Sequence, residues 1–341
     1  MSAIAAMHGY VGTDLVDVTD DLSCLNSAGC WYVVGFFEKP PLALRFSTWK
    51  QTSLPNSSWL GAREWTSDTS ESDYIAKVEL ARGRIAAGDV YQVNVCRKLS
   101  SQWISHNADA VGLYQLLQEH NPAPMSSMIS VRDSRLHRHG LEEIQIASAS
   151  PEVFLQRRGQ SLMSSPIKGT ATLDEDFLEK DVSENVMIVD LVRNDLSRVC
   201  DVASVEVPQL LTHQNHPGLK HLVSTVSGQL SAGTGWAEIF DATFPPGSVT
   251  GAPKSSALRI IQELEHQRDV YCGALGVVDA DSRTADLAVA IRTFWKQDGR
   301  LWFGAGAGIT WGSDAQQEWH ETELKARHLL AVAGTNREIE S

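Results

Sequence analysis

Cysteine is scarce in this sequence and shows no pairing pattern. The five cysteines are scattered along 341 residues, and no two of them form a Cys-x-x-Cys pair. A disulfide framework or a structural zinc site would need clustered or regularly spaced cysteines, so neither is supported. The five thiols are therefore expected to be reduced residues of the core.

Positive charge and long apolar runs are also in short supply. Lys and Arg number 29 against 42 Asp and Glu, for a formal net charge of −13, which disfavours binding to nucleic acid. No apolar run reaches the roughly 18 residues of a membrane span. The first residues also lack the basic and then apolar pattern of a signal peptide. A cytoplasmic protein without a nucleic-acid or membrane partner is expected, and an anionic substrate would need local Lys, Arg or a metal ion.

What the sequence does contain is enough apolar material for a large core, because 43% of its residues are hydrophobic. Residues from about 45 to 73 are rich in Ser, Thr and Trp and have little periodicity, which is typical of loops. We therefore divide the chain into a short N-terminal portion at 1–70, a catalytic core at 71–335 and a tail at 336–341. The compact core is expected to start after the loop-rich segment.

Apolar spacing predicts the main elements of the core. Helical spacing predicts helices over about 71–87, 174–198, 253–266 and 314–333. Strands are predicted at 91–95, 144–149, 152–157, 161–167, 271–279, 285–295 and 300–305. Strands that arrive in runs, separated by only a few long helices, favour an α+β fold with antiparallel sheets over a regular βαβ array.

Two residues of the predicted core suit nucleophilic and acid chemistry. Lys168 ends an apolar strand just before Gly169, where a partly dry pocket would favour the neutral amine needed for attack. Glu152 opens a strand beside small residues and could exchange a proton with a leaving hydroxyl. The ordinary alternatives are a solvated lysine at a strand end and a carboxylate in a surface turn.

Glutamates on two predicted helices could share one cation. Glu184 falls on the apolar face of its helix, and Glu318, Glu321 and Lys325 follow one another at spacings of three and four on the last helix. The ordinary interpretation is a solvated face with a Glu321–Lys325 pair, which stabilises a helix by about 0.2–0.5 kcal/mol. The alternative is Mg²⁺, which is usually held by one or two carboxylates, waters and anionic substrate oxygens.

Backbone and arginine groups farther along the chain could bind an anion. Residues 244–255 have the wrong spacing for a phosphate-binding loop, yet the N–H groups around Thr250 and Gly251 precede a helix and could face a carboxylate. The glycines at 304–308 would let the backbone approach a ligand closely. Arg292, predicted to lie on a strand above two alanines, could bind a carboxylate or form a structural ion pair.

The order of these segments resembles the chorismate-utilising enzyme family, which includes component I of the anthranilate and aminodeoxychorismate synthases. The resemblance covers roughly residues 70–335. Its most specific stretches are QVN at 92–94, SPE at 150–152, PIKGT at 166–170, ENVMIVDL at 184–191, HLVS at 221–224, TGAPK at 250–254 and the glycines that end at Gly308. It implies an α+β sandwich of antiparallel sheets flanked by helices, with an N-terminal portion shorter than relatives usually have.

Two positions separate the branches of this family. Gln92 stands where the water-activating relatives, the isochorismate and salicylate synthases, carry a lysine base. Lys168 stands where anthranilate synthases usually have alanine and aminodeoxychorismate synthases have lysine. The resemblance therefore favours amination of chorismate to 4-amino-4-deoxychorismate, in the supply of 4-aminobenzoate and folate. Anthranilate synthase and a chorismate-binding homologue without turnover are the alternatives.

The resemblance also implies a mechanism and a site. Lys168 would attack C2 of chorismate as the C4 hydroxyl leaves, Glu152 would protonate that oxygen, and ammonia would add at C4 and expel the lysine. Glu184 and Glu321 would hold Mg²⁺, with Glu318 helping through water. The other implied substrate contacts are Arg292, Tyr271, Gly306, Gly308, Thr250, His221, Lys325 and Gln92. Glutamine-derived ammonia would require a separate glutaminase subunit, because the sequence shows no glutaminase segment of its own. Tryptophan regulation is not expected in so short an N-terminal portion.

Overall fold

The computed structural model describes residues 3–103, 109–172, 176–177, 179–216 and 219–337. The described chain opens with the strands β1 (Ala3–Met7), β2 (Tyr10–Thr19), β3 (Cys30–Gly35), β4 (Leu42–Gln51), β5 (Trp59–Leu60) and β6 (Thr66–Ser67). Its middle part contains α1 (Glu71–Ala86), β7 (Gln92–Gln102), α2 (Ala110–His120), β8 (Ser127–Val131), β9 (Ile144–Ser148), β10 (Val153–Arg158), β11 (Ser161–Ser165), β12 (Ile167–Thr172) and α3 (Glu179–Ser197).

The last part of the chain alternates strands with three further helices. Its elements are β13 (Glu206–His216), β14 (Leu219–Gln229), α4 (Trp236–Thr243), β15 (Gly251–Ala252), α5 (Lys254–Leu264), β16 (Ala274–Asp279), β17 (Thr284–Val289), β18 (Thr293–Gln297), β19 (Arg300–Ile309), α6 (Ala315–Ala333) and β20 (Asn336–Arg337). No helix in the described ranges is both long and apolar enough to cross a membrane.

Local capping explains where the predicted helices begin and end. The side chain of Ser70 accepts a hydrogen bond from the Asp73 N–H at the start of α1, and Gly88 follows the end of this helix with φ +83°. At the start of α6, the Asp314 side chain accepts from the Gln317 N–H. Helices predicted at 71–87 and 314–333 are therefore confirmed to within a residue or two.

All described strands except β5 and β20 belong to one antiparallel sheet. Its pairing order is β13, β14, β11, β10, β17, β16, β3, β4, β2, β1, β8, β9, β18, β19, β7, with β12 also on β14 and with β6 and β15 on β7. The predicted α+β fold with antiparallel pairing is confirmed. The sheet is so strongly curved that its two ends come close to the same helix. α3 packs on β14 and β12 at one end of the sheet and also contacts β15 at the other end.

The N-terminal strands lie in the middle of this sheet rather than on its outside. β3 pairs with β16, and β1 pairs with β8, so strands β1 to β4 connect the two halves of the sheet. Val33 and Leu44 are fully buried in the same core cluster as Ile146 and Leu275. The expectation that the compact core starts after residue 73 is therefore wrong, and β4 extends into the segment predicted to be loop-rich. The division of the chain at residue 70 stays a prediction.

Two of the predicted strands are divided in the structure, and a third begins later than predicted. The predicted strand at 285–295 is two strands, because β17 pairs with β10 and β16 whereas β18 pairs with β9. Arg292 lies in the turn between them with φ +51°, so its predicted place on a strand above Ala288 and Ala290 is wrong. The strand predicted from Tyr271 begins only at Ala274, after a turn, and the one predicted at 161–167 is divided between β11 and β12.

Candidate functional site

β12 brings Lys168 against α3. Gly169 has φ +82°, and a Cβ atom there would lie 2.9 Å from the Cβ of Asp181, so glycine lets the strand approach the helix. The Nζ atom of Lys168 lies 4.0 Å from Oε2 of Glu184, and the two side chains are only 12% and 9% exposed. The predicted nucleophile and one predicted metal ligand therefore face each other in a largely buried place.

Glu152 is a buried carboxyl group beside the same lysine. Burial raises its pKa to about 7, against the opposing effects of the Ser248 hydroxyl, the Ile167 N–H and the charges of Lys168 and Arg292. A carboxyl group with this pKa holds a proton on about half of the molecules at neutral pH, so it can donate one to a leaving oxygen.

Two more glutamates lie near Glu184, and each is paired with a lysine. Lys180 Nζ lies 3.0 Å from Oε1 of Glu318, a side chain that is 2% exposed, and Lys325 Nζ lies 2.5 Å from Oε1 of Glu321. Burial raises the pKa of Glu184, Lys168 and Lys180 oppose the shift, and Glu321 and Glu318 add to it. Burial would also raise the pKa of Glu321, but Lys325, Lys180 and Lys168 hold it below its ordinary value.

These carboxylates have the chemistry that a magnesium ion needs. Oε1 of Glu184 and Oε2 of Glu318 are buried and accept no hydrogen bond from any described residue. A buried carboxylate oxygen without a partner is unfavourable, and a hard cation would satisfy both. Over the described ranges, however, no three His, Cys, Asp or Glu side chains converge tightly enough to form a preassembled metal site. The three glutamates thus have the chemistry to bind the ion, while in this structure the neighbouring lysines balance their negative charge.

The strands β7 and β19 form the wall opposite α3. A Cβ atom at Gly308 would lie 2.2 Å from Nε2 of Gln92 and 3.4 Å from Oε2 of Glu184, so only glycine fits between these side chains. Gln92 is 1% exposed, and its Oε1 accepts no hydrogen bond within the part of the chain that is described. The carbonyl of Gly306 accepts a hydrogen bond of 3.0 Å from Lys325. Gln92, Gly306, Gly308 and Lys325 are thus brought to the three glutamates.

Thr250 and His221 are both buried, and Thr250 contacts β7. The Thr250 hydroxyl donates to the carbonyls of Pro246 and Gly247, at 3.1 and 3.2 Å, and its own carbonyl accepts from the Asn94 N–H. His221 lies on β14, in register with Thr170 of β12, and is 2% exposed. The Thr250 hydroxyl is thus already hydrogen-bonded to the loop backbone. A contact of either residue with a substrate ring stays a prediction.

Tyr271 and Arg292 lie on adjoining turns. The Cys272 N–H donates to the carbonyl of Ala290 at 2.9 Å, which joins the turn of Tyr271 to the one that carries Arg292. The Tyr271 ring covers Gly304, where a Cβ atom would lie 2.2 Å from the ring. Burial lowers the pKa of Arg292, and the nearby Glu152 opposes that shift. Arg292 thus lies close to Glu152 although it is in a turn and not on a strand.

Three contributors to this region were not predicted from the sequence. Ser248 lies beside Glu152, almost a hundred residues away in the sequence, and opposes the rise of its pKa, and no local pattern signals that contact. Lys180 lies one helical turn before Glu184, a spacing that is visible in the sequence. Lys254, in the TGAPK stretch, is paired at 2.7 Å with Asp195 and donates to the Thr243 carbonyl at 2.8 Å, which gives it a structural place.

Known proteins are similar in sequence to this protein over most of its length. A family model described as chorismate binding enzyme matches residues 41–331. Anthranilate synthase component 1 of Streptomyces coelicolor is 37% identical over 285 residues, which cover 80% of this chain and 53% of the relative. Aminodeoxychorismate synthase component 1 of Klebsiella aerogenes is 36% identical over 293 residues, covering 82% and 62%. The chain therefore spans between half and two thirds of the length of these relatives.

Solved structures with the same fold include two synthases. Anthranilate synthase component I from Streptococcus pneumoniae superposes with a TM-score of 0.74 at 23% identity, covering 96% of this chain and 89% of the other. The menaquinone-specific isochorismate synthase from Escherichia coli superposes with a TM-score of 0.75 at 17% identity, covering 97% and 88%. At these identities the likeness concerns the fold alone, and it agrees with the antiparallel α+β architecture.

Proposed function

Because the chain belongs to the chorismate binding enzyme family, we propose that it aminates chorismate at C4 through a covalent intermediate on Lys168. The observation that carries this proposal is that Lys168, largely buried and 4.0 Å from Glu184, lies near Glu152, a buried acid whose pKa is about 7. A protein that only bound the ligand would need neither a nucleophile nor a proton donor beside it. The proposed product, 4-amino-4-deoxychorismate, is a precursor of 4-aminobenzoate and folate.

The proposed chemistry begins at Lys168. Its neutral amine forms a bond to C2 while both ring double bonds shift toward C4 and the C4–O bond breaks. Glu152 gives its proton to the departing hydroxyl, which leaves as water. Ammonia then forms a bond to C4, both double bonds shift back, and the C2–Nζ bond breaks to release the lysine. The ammonium formed at C4 then returns a proton to Glu152. Oε2 of Glu184, 4.0 Å from Nζ, is an acceptor for the proton that the ammonium must give up before it attacks.

Magnesium is proposed as the cofactor of this site. Glu184, Glu321 and Glu318 would hold it, which is supported by the two carboxylate oxygens that lack partners among the described residues. When bound, the ion would supply positive charge that stabilises an anionic substrate. The remaining contacts, from Arg292 and Tyr271 to the enolpyruvyl group and from His221 and Thr250 to the ring, are part of the same proposal.

A second subunit is proposed as the source of ammonia. The Streptomyces coelicolor and Klebsiella aerogenes relatives are each named component 1 of a synthase, a name that implies a further component. For this chain we propose a separate glutamine amidotransferase subunit that releases ammonia near Lys168. Free ammonium should replace that partner at high concentration, because the proposed step consumes ammonia itself.

Anthranilate synthesis is the competing proposal. It is favoured by the Streptomyces coelicolor relative, which is 37% identical. In that reaction the ring is aminated at C2 and pyruvate is eliminated, so Lys168 would have no covalent role. The two proposals predict products of different composition from the same substrate.

The product assay tests the proposal directly. The full-length protein is incubated with chorismate, Mg²⁺ and ammonium, and products are identified by mass spectrometry and fluorescence. We expect an aminated product that retains the enolpyruvyl group, and turnover that EDTA abolishes and excess Mg²⁺ restores. A sample without ammonium is the control. Fluorescent anthranilate as the main product would overturn the proposal, and full turnover under thorough chelation would overturn its magnesium part.

A further inference from the structure

Three lysines occupy the cluster in which the metal is proposed. Lys168 faces Glu184 at 4.0 Å, Lys180 faces Glu318 at 3.0 Å, and Lys325 faces Glu321 at 2.5 Å. On the basis of the proposed magnesium site, we propose that Lys180 is a built-in counterion of Glu318, that it competes with the metal ion, and that metal binding displaces its ammonium group from that carboxylate.

The balance of charge supports the displacement. Three carboxylates facing three ammonium groups have no net formal charge, so a divalent ion would leave an excess of two positive charges. An uncompensated charge in a poorly solvated place is unfavourable, because it has lost its hydration without gaining a partner. Either a lysine must move into water or the metal must bind weakly. The same three lysines keep the carboxylates compensated when no metal is present.

Lys180 is the lysine that can leave most easily. Its side chain is 39% exposed, and it is the second residue of α3, where the helix meets solvent. A lysine can swing its ammonium group into water while its carbon chain stays on the protein. Lys168 is only 12% exposed. Lys325 is 50% exposed, but it has two partners, its glutamate and the Gly306 carbonyl at 3.0 Å, whereas Lys180 has its glutamate alone among the described residues. These two lysines are therefore expected to stay.

Glu318 is the carboxylate that gains most from the exchange. It is 2% exposed, one oxygen accepts from Lys180 at 3.0 Å, and the other accepts no hydrogen bond from the residues described. The ammonium group of Lys180 contacts only Oε1 of Glu318, whereas a metal ion could also satisfy Oε2, directly or through a bound water. Lys180 would thus set the affinity of the ion without touching the substrate.

The test compares metal binding in two variants with matched ion pairs. Mn²⁺ is titrated into the full-length protein, and bound ion is measured by electron paramagnetic resonance without substrate. Lys180→Met should bind about tenfold more tightly than the wild type, because removing one competing unit charge at a partly buried site has an effect of that order. Lys39→Met removes the Lys39–Asp269 pair, with a 2.9 Å distance and a 43% exposed lysine, and should leave binding unchanged. Unchanged or weaker binding in Lys180→Met would overturn the inference.

A second measurement follows the lysine itself. Wild-type protein is acetylated with a limiting reagent, with and without Mn²⁺, and each lysine is quantified by mass spectrometry. Metal should raise the labelling of Lys180 several-fold and leave Lys254, which is paired with Asp195, unchanged. If labelling of Lys180 falls or stays constant, displacement is wrong. Lys180→Gln, which keeps a polar side chain, is titrated as well, so that a folding defect of the methionine variant cannot decide the result.

The outcomes separate this inference from the proposed function. If the wild type binds Mn²⁺ and neither Lys180 variant binds it more tightly, only the displacement fails. If the wild type binds no Mn²⁺ at all, the carboxylates are not a metal site, and both the displacement and the magnesium part of the proposed function fail. The amination of chorismate is decided independently by the product assay.

Discussion

The acidity of Glu152 comes from its surroundings, and the rate should therefore depend on pH. A glutamate pKa begins at 4.5, and burial raises that of Glu152 to about 7. A proton donor works only in its protonated form, so the rate of C4–O cleavage should fall as the pH rises through about 7. Glu152→Gln should lower kcat by about 10²–10⁴, the usual contribution of a general acid, and should remove this fall. A pH–rate profile that is identical in both proteins would show that another group gives the proton.

The same pKa shift links folding to pH. Between pH 4.5 and 7 the folded protein keeps a proton on Glu152 that the unfolded chain has lost, so stability falls as the pH rises through this window. The free energy of unfolding should fall by about 3 kcal/mol in all, because each pKa unit corresponds to about 1.36 kcal/mol. Glu152→Gln cannot lose that proton, and its stability relative to the wild type should increase from pH 4.5 to 7. Urea unfolding at four pH values measures the difference, and a constant difference would contradict the prediction.

Lys168 separates covalent catalysis from simple attraction between charges. Lys168→Ala should lose amination at C4, because no amine remains to attack C2. Lys168→Arg keeps the positive charge but cannot supply a neutral amine, since arginine stays protonated. Both variants should therefore be inactive. Removing a group that only stabilises charge would instead lower the rate by about 10²–10³.

Near-normal turnover in Lys168→Arg would contradict the covalent role. The complementary experiment is mass spectrometry of the wild type incubated with chorismate and Mg²⁺ without ammonium, which should reveal an adduct on Lys168. If neither the adduct nor the loss of activity is seen, Lys168 is a contact to the substrate, and anthranilate synthesis gains support.

At the level of elements, one buried ion pair ties α5 to α3. Lys254 Nζ lies 2.7 Å from Oδ2 of Asp195, and these side chains are 15% and 10% exposed. Lys254→Met would leave a carboxylate buried without its partner, which should cost about 3–5 kcal/mol in the free energy of unfolding. The double variant with Asp195→Asn should recover part of that loss. Denaturant unfolding measures both.

An exposed pair on the same helix gives the matched control. Arg193 and Asp190 also lie 2.8 Å apart, but their side chains are 51% and 67% exposed. Arg193→Ala should change stability by less than about 1 kcal/mol. Equal losses in Lys254→Met and Arg193→Ala would show that burial of the α3–α5 pair does not matter.

Element boundaries that depend on neighbouring residues could be predicted from the sequence. Boundaries that depend on pairing with strands far away in the sequence could not. The end of α1 was predictable because Gly88 follows an amphipathic run. The break between β17 and β18 was not, because it depends on which strands pair with each side of Arg292. In the site, the spacing of Glu318, Glu321 and Lys325 indicated one helix face, whereas the contact of Ser248 with Glu152 exists only once the chain has folded.

At the scale of the whole molecule, strands β1 to β4 connect two halves of one sheet. A fragment of residues 71–341 would leave β16 without β3 and β8 without β1, exposing two rows of unpaired backbone groups. We expect this fragment to aggregate or to lack a cooperative thermal transition, and residues 1–70 supplied as a second chain to restore one. Circular dichroism and light scattering measure this. A fragment that melts cooperatively by itself would instead support an independent core with a boundary at residue 70.

The central position of β3 has a consequence for how the chain is made. Cys30 of β3 pairs with Asp279 of β16, which a ribosome reaches much later. At about 5–20 residues per second, the roughly 250 residues between them take on the order of 10–50 s to synthesise. Throughout that interval one edge of an apolar strand has no partner, so the nascent protein offers a long-lived target to chaperones and to neighbouring chains. Slower translation should lengthen this exposure and lower the yield of folded protein.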